Sequence, residues 1–428
     1  MSSLTRPATP GSTPTGPDVS GEESSRWAEA WQRVITGNAI ISVLALVLAL
    51  LFGSVLIVLT DPNVQSAAGY FFSRPMDTFN AIGNAVGGAY SSLFQGAIYN
   101  FRADSFAKGI RPLTETLNFA TPLIAAGLGV GLAFRVGMFN IGGQGQMLIA
   151  ASAAGWVGFS VHLPWGIHMI VAVIAGLLGG ALWAGIAGFL KARTGAHEVI
   201  VTIMLNYIAF YLVSWMLATQ GFLQAPGSSN PKSAAVDSTA VLPKLLGSQY
   251  NLHFGFILAL AAVALVWWIL SRSKLGFEFR AVGENPKAAR VAGIHVQSVY
   301  LYAMLISGAL VGLAGVSQVL GSVTTGFTSQ IDAGIGFDAI TVALLGRGSP
   351  IGIMGAGLLF GAFKAGGFAM QAANGIPVDI VLVLQSLIVL FIAAPPLVRA
   401  IFRLPQPGKT AKTDRASKAT KTAEVTSK

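Results

Sequence analysis

Long apolar runs recur along almost the whole chain and leave few folds open to it. Most of them reach the roughly 20 residues that a helix needs to cross a bilayer. Inside a bilayer no water satisfies exposed backbone groups, so runs of this length fold as helices. The sequence therefore predicts an all-α polytopic membrane protein with about ten transmembrane helices. The predicted spans are 37–60, 112–134, 138–161, 166–190, 198–219, 252–271, 298–320, 334–346, 351–371 and 377–398.

Two apolar segments depart from a full span. The run 334–346 holds roughly a dozen residues, so we expect a short or re-entrant helix buried among its neighbours. The run Phe79–Tyr99 is only weakly apolar and rich in glycine, and it is interpreted as a re-entrant or interfacial helix on the outer side. The composition agrees with a membrane protein, because 53% of the residues are hydrophobic and only 10% are charged.

The basic residues collect in the tails and in short connections between the runs. A net charge of +10 would fit nucleic-acid binding, but this distribution is that of cytoplasmic loops beside a lipid bilayer. We therefore predict cytoplasmic termini and no nucleic-acid partner. The chain divides into a disordered polar tail at 1–36, a transmembrane domain at 37–400 and a basic disordered tail at 401–428.

The most charged connection between two spans is the segment 272–297. Within it, Asn285 is a good N-cap, Pro286 suits the first helical turn, and Gly293 stands where a glycine ends a helix. These signals predict a short helix at about 285–292 on the cytoplasmic side. We interpret this helix as a docking site for another protein. The alternative is a solvated basic loop that only sets the topology.

Side-chain amides stand within or beside apolar helices at Asn140, Gln144 and Gln146. An unpaired amide in hydrocarbon costs several kcal/mol, so each should face protein or a water-filled path. One interpretation is that these residues line a translocation path. The other is that they form hydrogen bonds between helices. The nearby Arg135 is interpreted as an anchor at the cytoplasmic end of its helix.

Few ionisable groups lie inside the predicted spans. Asp338 and Lys364 are the main functional candidates, because a buried charge needs a partner, and they either pair with each other or face the path. The histidines are not spaced as metal ligands are. The segment Gly408-Lys409-Thr410 ends like a phosphate-binding loop but lacks the glycine that such a loop has five residues earlier. We therefore expect no catalytic residues, no metal site and no cofactor.

Four motifs occur in order along the chain. They are FRVGMFNIGGQGQM (134–147), TGAHEVIVTIMLNYIA (194–209), GFEFRAVGENPKAARVAGI (276–294) and GFDAITVALLGRGSPIG (336–352). Together they resemble permease subunits of bacterial ABC importers of the ribose and simple-sugar type. Within that group they are most similar to permeases of nucleoside importers that use a binding protein of the basic-membrane-lipoprotein type.

The resemblance implies partners that the residues alone do not. They are cytoplasmic ATP-binding subunits that use the ATP, a second permease subunit (the same or a different chain) and an extracytoplasmic substrate-binding lipoprotein. The chain would be a multi-pass protein of the bacterial cell membrane. Residues Glu284–Arg290, which include Asn285 and Pro286, would be the coupling helix that sits on the ATPase. In that helix Ala288 and Ala289 would allow close seating, while Glu284, Lys287 and Arg290 would form ion pairs.

The leading hypothesis is a permease subunit of an ATP-driven importer for nucleosides, which works by alternating access and is not itself an enzyme. A simple-sugar permease is the alternative within the same class. An ion-coupled secondary transporter is a further alternative, although the mid-span carboxylates expected of one are scarce. A membrane scaffold without transport activity is the last.

Overall fold

A computed structural model describes residues 38–403 of the chain. These residues form helices joined by loops, with no strand among them, and the predicted all-α class is confirmed. The helices are α1 (Asn38–Thr60), α2 (Pro62–Ala68), α3 (Pro75–Ala97), α4 (Phe106–Gly109), α5 (Arg111–Arg135), α6 (Gly143–Ser160), α7 (Ile167–Thr194), α8 (Glu198–Ala218), α9 (Gly255–Arg272), α10 (Lys274–Glu284), α11 (Pro286–Val291), α12 (Val296–Ser317), α13 (Ile335–Leu345), α14 (Pro350–Asn374), α15 (Val378–Ala393) and α16 (Pro395–Ile401).

Within residues 38–403, six helices are long and apolar enough to cross a membrane. A bent pair, Leu44–Thr60 with Pro62–Ala68 at 70°, raises the number to seven if it is one span. Each predicted apolar run does form a helix, but some are too short or too polar to qualify as full spans. The predicted number of about ten spans and the cytoplasmic placement of both termini stay predictions. The six are Phe106–Arg135, Ile167–Thr194, Glu198–Ala218, Gly255–Arg272, Val296–Ser322 and Pro350–Asn374.

The most extensive contact between two of the described helices is between α7 and α12. Gly176 and Gly180 on α7 face Gly308 and Gly312 on α12, and a Cβ atom at Gly308 would overlap the carbonyl oxygen of Gly180. Small residues spaced four apart let two helix backbones approach this closely. The glycine spacing in the sequence therefore reports on helix packing.

The run that we expected to be re-entrant or interfacial forms α3, a helix of 23 residues. It packs along α14, where a Cβ atom at Gly96 would overlap Ala369. Its last turn is tied to α5, because the hydroxyl of Thr116 donates to the carbonyl of Ala97 at 2.6 Å. The position of α3 relative to the bilayer stays a prediction.

The predicted short helix is α13, which has 11 residues and packs against α5 and α14. It begins after Gly334, whose φ of +79° lies in the left-handed region that favours glycine. The turn before it allows the chain to reverse direction and places α13 beside the site described below.

Residues Ala49–Ala393 form one compact unit, which contains every site discussed below. The described part of a second unit consists of the start of α1 and helix α16. The predicted tail at 1–36 lies outside the described residues, as does the part of the 401–428 tail beyond residue 403.

Candidate functional site

A polar cavity of about 580 Å³ opens between α5 and the segment that follows α12. Its volume is in the range of pockets that hold small molecules. Most of its exposed wall is apolar and includes the aromatic ring of Phe119, and amides, hydroxyls and one cation supply its polar groups. We call it the polar cavity, and its lining residues are Asn118, Phe119, Pro122, Lys232, Gln318, Ser322, Val323, Thr325, Gly326, Thr328, Gln330, Ile331 and Ala333.

Two irregular helical turns shape the polar cavity. Pro122 lies inside α5 and has no N–H, so the carbonyl of Asn118, four residues earlier, lacks its helical donor. On the facing wall, α12 changes to a π-helical turn at Gln318–Ser322, and both residues that bound this turn line the cavity. Irregular turns of this kind are frequent at functional sites because they free backbone groups and re-aim side chains.

The floor of the polar cavity is joined to an ion pair. Ala333 lines the cavity with an unusual φ of +46°, and its carbonyl accepts a hydrogen bond from Nζ of Lys364 at 3.3 Å. The same ammonium group lies 3.7 Å from Oδ2 of Asp338 on α13. The structure thus pairs Asp338 with Lys364, one of the two arrangements expected. Whether the pair also faces a translocation path stays a prediction.

Gln144 lies one layer behind the polar cavity. Its side chain lies near the carboxylate of Asp332, which is 2% exposed. The same carboxylate accepts from the backbone N–H of Gly334 at 3.3 Å. Gln144 therefore lies beside the turn at Ala333 and Gly334 and is not among the residues that line the cavity.

Asn140 and Gln146 lie in a fully buried network. The amide of Asn140 donates to Oε1 of Gln146 at 3.1 Å and to the hydroxyl of Ser307 at 2.9 Å. Its oxygen accepts from Nε2 of Gln146 at 2.8 Å and from the N–H of Gly142 at 3.0 Å. Neither residue lines the polar cavity. These contacts favour hydrogen bonding between helices, and path lining by Asn140 and Gln146 stays a prediction.

A further buried amide, Asn206 on α8, completes the support of the break before α6. Its Oδ1 accepts from the N–H of Gly145 at 2.9 Å, and its Nδ2 donates to the carbonyl of Ile141 at 2.9 Å. This residue was not predicted from the sequence. The available signal was one more amide inside an apolar helix, in the second of the four motifs.

The predicted cytoplasmic helix is present as α11. Oδ1 of Asn285 caps it by accepting from the N–H groups of Lys287 and Ala288, at 3.0 and 3.1 Å. Gly293 ends it with a φ of +85°. Glu284, Asn285, Pro286, Lys287, Ala288 and Arg290 are all exposed, and each is available to a partner.

Two features of this segment differ from expectation. Ala289 is only 3% exposed and belongs to the core of the chain, so the expectation that it seats a partner is wrong. A second helix, α10, precedes α11 and buries Phe279 and Val282 against the bundle. It was missed because charged residues are interspersed along the whole of it, at positions 274, 278, 280 and 284. Phe277 and Val291 remain 60% and 90% exposed, which adds an apolar part to the charged surface.

Residues 113–393 match the family model for the permease component of branched-chain amino acid transport systems. A guanosine ABC transporter permease of Bacillus subtilis (strain 168) is 37% identical over 323 residues, which cover 74% of this chain and 89% of the relative. A nucleoside ABC transporter permease of Lactococcus lactis subsp. cremoris is 35% identical over 326 residues, or 73% and 85% of the two chains. A glucose ABC transporter permease of Haloferax volcanii is 37% identical over 289 residues, or 65% and 75%. No solved structure matches the chain.

Proposed function

We propose that this chain, which belongs to the permease family of branched-chain amino acid transport systems, carries a nucleoside through the polar cavity. It does so as an ABC importer permease of the bacterial plasma membrane. The observation that carries this proposal is the lining of that cavity. It offers amides, hydroxyls and the ammonium group of Lys232 on a largely apolar wall, without a carboxylate, which suits a ligand that has an apolar face and hydrogen-bond acceptors.

An aromatic wall makes a nucleoside a better match than a sugar alone. Phe119 lines the polar cavity and is packed against Phe368 at a centroid distance of 5.7 Å. An immobilised ring gives a flat apolar surface on which a nucleobase stacks, and such stacking contributes about 1–3 kcal/mol per base. The hydroxyls of Thr325 and Thr328 suit the ribose.

A simple sugar is the second candidate substrate. Amides and hydroxyls bind sugar hydroxyls equally well, and one relative is a glucose permease. The two candidates differ at Phe119, since only the nucleoside has a base to stack on the ring.

As a permease subunit, the chain works with ATP-binding and substrate-binding partners. We propose that the ATPase docks on α10 and α11. The exposed charges of Glu284, Lys287 and Arg290 supply ion pairs at this surface, and Phe277 and Val291 supply apolar contact. Because α10 packs against α5 and α12, a force on this surface reaches the two helices that wall the cavity. A second permease subunit and an extracytoplasmic lipoprotein complete the proposed assembly.

Reconstitution tests this function. The complex is placed in proteoliposomes with its ATPase, partner permease and binding protein, and uptake of labelled guanosine, ribose and glucose is measured with and without ATP. We expect ATP-dependent guanosine uptake that unlabelled sugars do not compete away. Phe119→Leu should reduce it about tenfold or more, while Phe119→Tyr should preserve it. Uptake that follows an ion gradient without the ATPase would refute the proposal.

A further inference from the structure

A buried histidine outside the membrane-spanning helices is joined to the polar cavity. His253 closes the long loop before α9 and is 1% exposed. Its ring fits between Gly255 and Gly321, and a Cβ atom at either glycine would overlap it. One face of this slot is the π-helical turn that lines the cavity. The ring therefore has one position, and its two nitrogens have defined neighbours.

The hydrogen bonds of this ring define its tautomer. The N–H of Gly255 donates to Nδ1 of His253 at 3.1 Å, so Nδ1 is an acceptor and the hydrogen is on Nε2. Burial, with the nearby charge of Lys244, lowers the pKa of His253 from 6.5 to about 4, so the ring is neutral at pH 7. Nε2–H faces the hydroxyl of Ser322 at 3.4 Å and donates to it.

The series of hydrogen bonds continues from Ser322 to the cavity wall. With its oxygen occupied by the histidine N–H, Ser322 donates its own hydrogen to Oδ1 of Asn118 at 3.3 Å. Asn118 is 8% exposed and lines the polar cavity. Because its oxygen is committed to Ser322, its NH₂ group is left to donate toward the cavity.

We propose that His253 is a positioning residue for substrate selection: through Ser322 it fixes the amide of Asn118 with the NH₂ group facing the polar cavity, which then selects ligands that present a hydrogen-bond acceptor there. The inference rests on the proposed nucleoside function. In that class the matching acceptor is the 6-oxo group of the base, as in guanosine. A base that lacks this acceptor leaves the buried NH₂ group unpaired and passes less readily.

The test compares two nucleosides in the complete transporter. Guanosine and 2-aminopurine riboside, which lacks the 6-oxo group, are supplied together at saturating concentration, and the ratio of their ATP-dependent uptake is measured. The binding protein also discriminates, but it is the same in every sample. Any change in the ratio between permease variants therefore comes from the permease.

Two matched pairs of variants separate positioning from folding. In His253→Asn the oxygen can still accept from Gly255, but nothing reaches Ser322, whereas the longer side chain of His253→Gln places an N–H near the position of Nε2. Ser322→Ala removes the relay and Ser322→Thr keeps it. We expect the uptake ratio to fall about three- to tenfold, the worth of one hydrogen bond, in His253→Asn and Ser322→Ala. It should recover in His253→Gln and Ser322→Thr.

The outcomes distinguish this inference from the proposed function. If the wild-type transporter takes up neither nucleoside, the proposed function fails and the inference fails with it. If it takes up both and the ratio is unchanged in Ser322→Ala, the inference alone is overturned. Should His253→Asn not reach the membrane, the Ser322 pair decides the result by itself.

Discussion

Replacing Asn140 by alanine should destabilise the protein and leave its substrate selection unchanged. The side chain makes four hydrogen bonds, two with Gln146, one with Ser307 and one with the N–H of Gly142, and it is fully buried. Such bonds contribute about 1 kcal/mol each in soluble proteins and about 0.6 kcal/mol in a membrane. The expected loss in the free energy of unfolding is therefore about 2–4 kcal/mol.

The measurement is unfolding of the purified permease in lipid bicelles by titration with a denaturing detergent. Gln144→Ala is the matched control, because that side chain lies near Asp332 and forms none of the hydrogen bonds of the Asn140 network. It should cost less. The uptake ratio of guanosine to 2-aminopurine riboside is measured on the same samples. A stability close to wild type together with altered selection in Asn140→Ala would refute the structural role and favour a path-lining one.

Three further predictions concern other parts of the chain. The folded-state pKa of His253 is about 4 against an ordinary 6.5, so the folded state takes up the proton less readily. The contribution of the neutral ring to the free energy of unfolding is therefore fully present above pH 6.5, and up to about 3 kcal/mol of it is lost as the pH approaches 4. Melting curves across this range should show the loss in the wild type and much less of it in His253→Gln. Charge reversal at Glu284 and Arg290 together should uncouple ATP hydrolysis from uptake without changing the amount of permease in the membrane. Lys108→Glu, an exposed change outside the segment, should leave coupling intact. Equal uptake in the two variants would contradict docking at α11. Lys364→Met should lower stability by about 1–3 kcal/mol because Asp338 keeps a half-buried charge without its partner, and adding Asp338→Leu should restore most of the loss; a double variant worse than the single one would show that the pair does not act as a unit.

The short helix α11 could be predicted because its signals are local. An N-cap, a first-turn proline and a terminal glycine define a helix wherever the chain then goes, and Asn285, Pro286 and Gly293 do so here. Its orientation could not be predicted. Ala288 and Ala289 are neighbours of the same type, and only the packing of α11 on the bundle buries one and exposes the other.

The polar cavity could not be predicted from the same sequence. Its walls come from Asn118 and Gln318, which are 200 positions apart and look like isolated polar residues in apolar runs. The π-helical turn that aims Gln318 has no distinct local signal. Asn140 and Gln146 were predicted as site residues because they stand close together beside glycines. The same closeness allows their side chains to form hydrogen bonds with each other.

The most direct test of the substrate path uses the absence of cysteine from the chain, because one introduced thiol is then the only one in this subunit. Val323→Cys places a thiol in the wall of the polar cavity, and Phe72→Cys places one at a fully exposed position outside it. The rate of labelling by a membrane-impermeant maleimide is measured in the working transporter. We predict that transported guanosine slows labelling at position 323 and leaves position 72 unchanged. Labelling at 323 that is unaffected while guanosine uptake continues would contradict passage through the polar cavity.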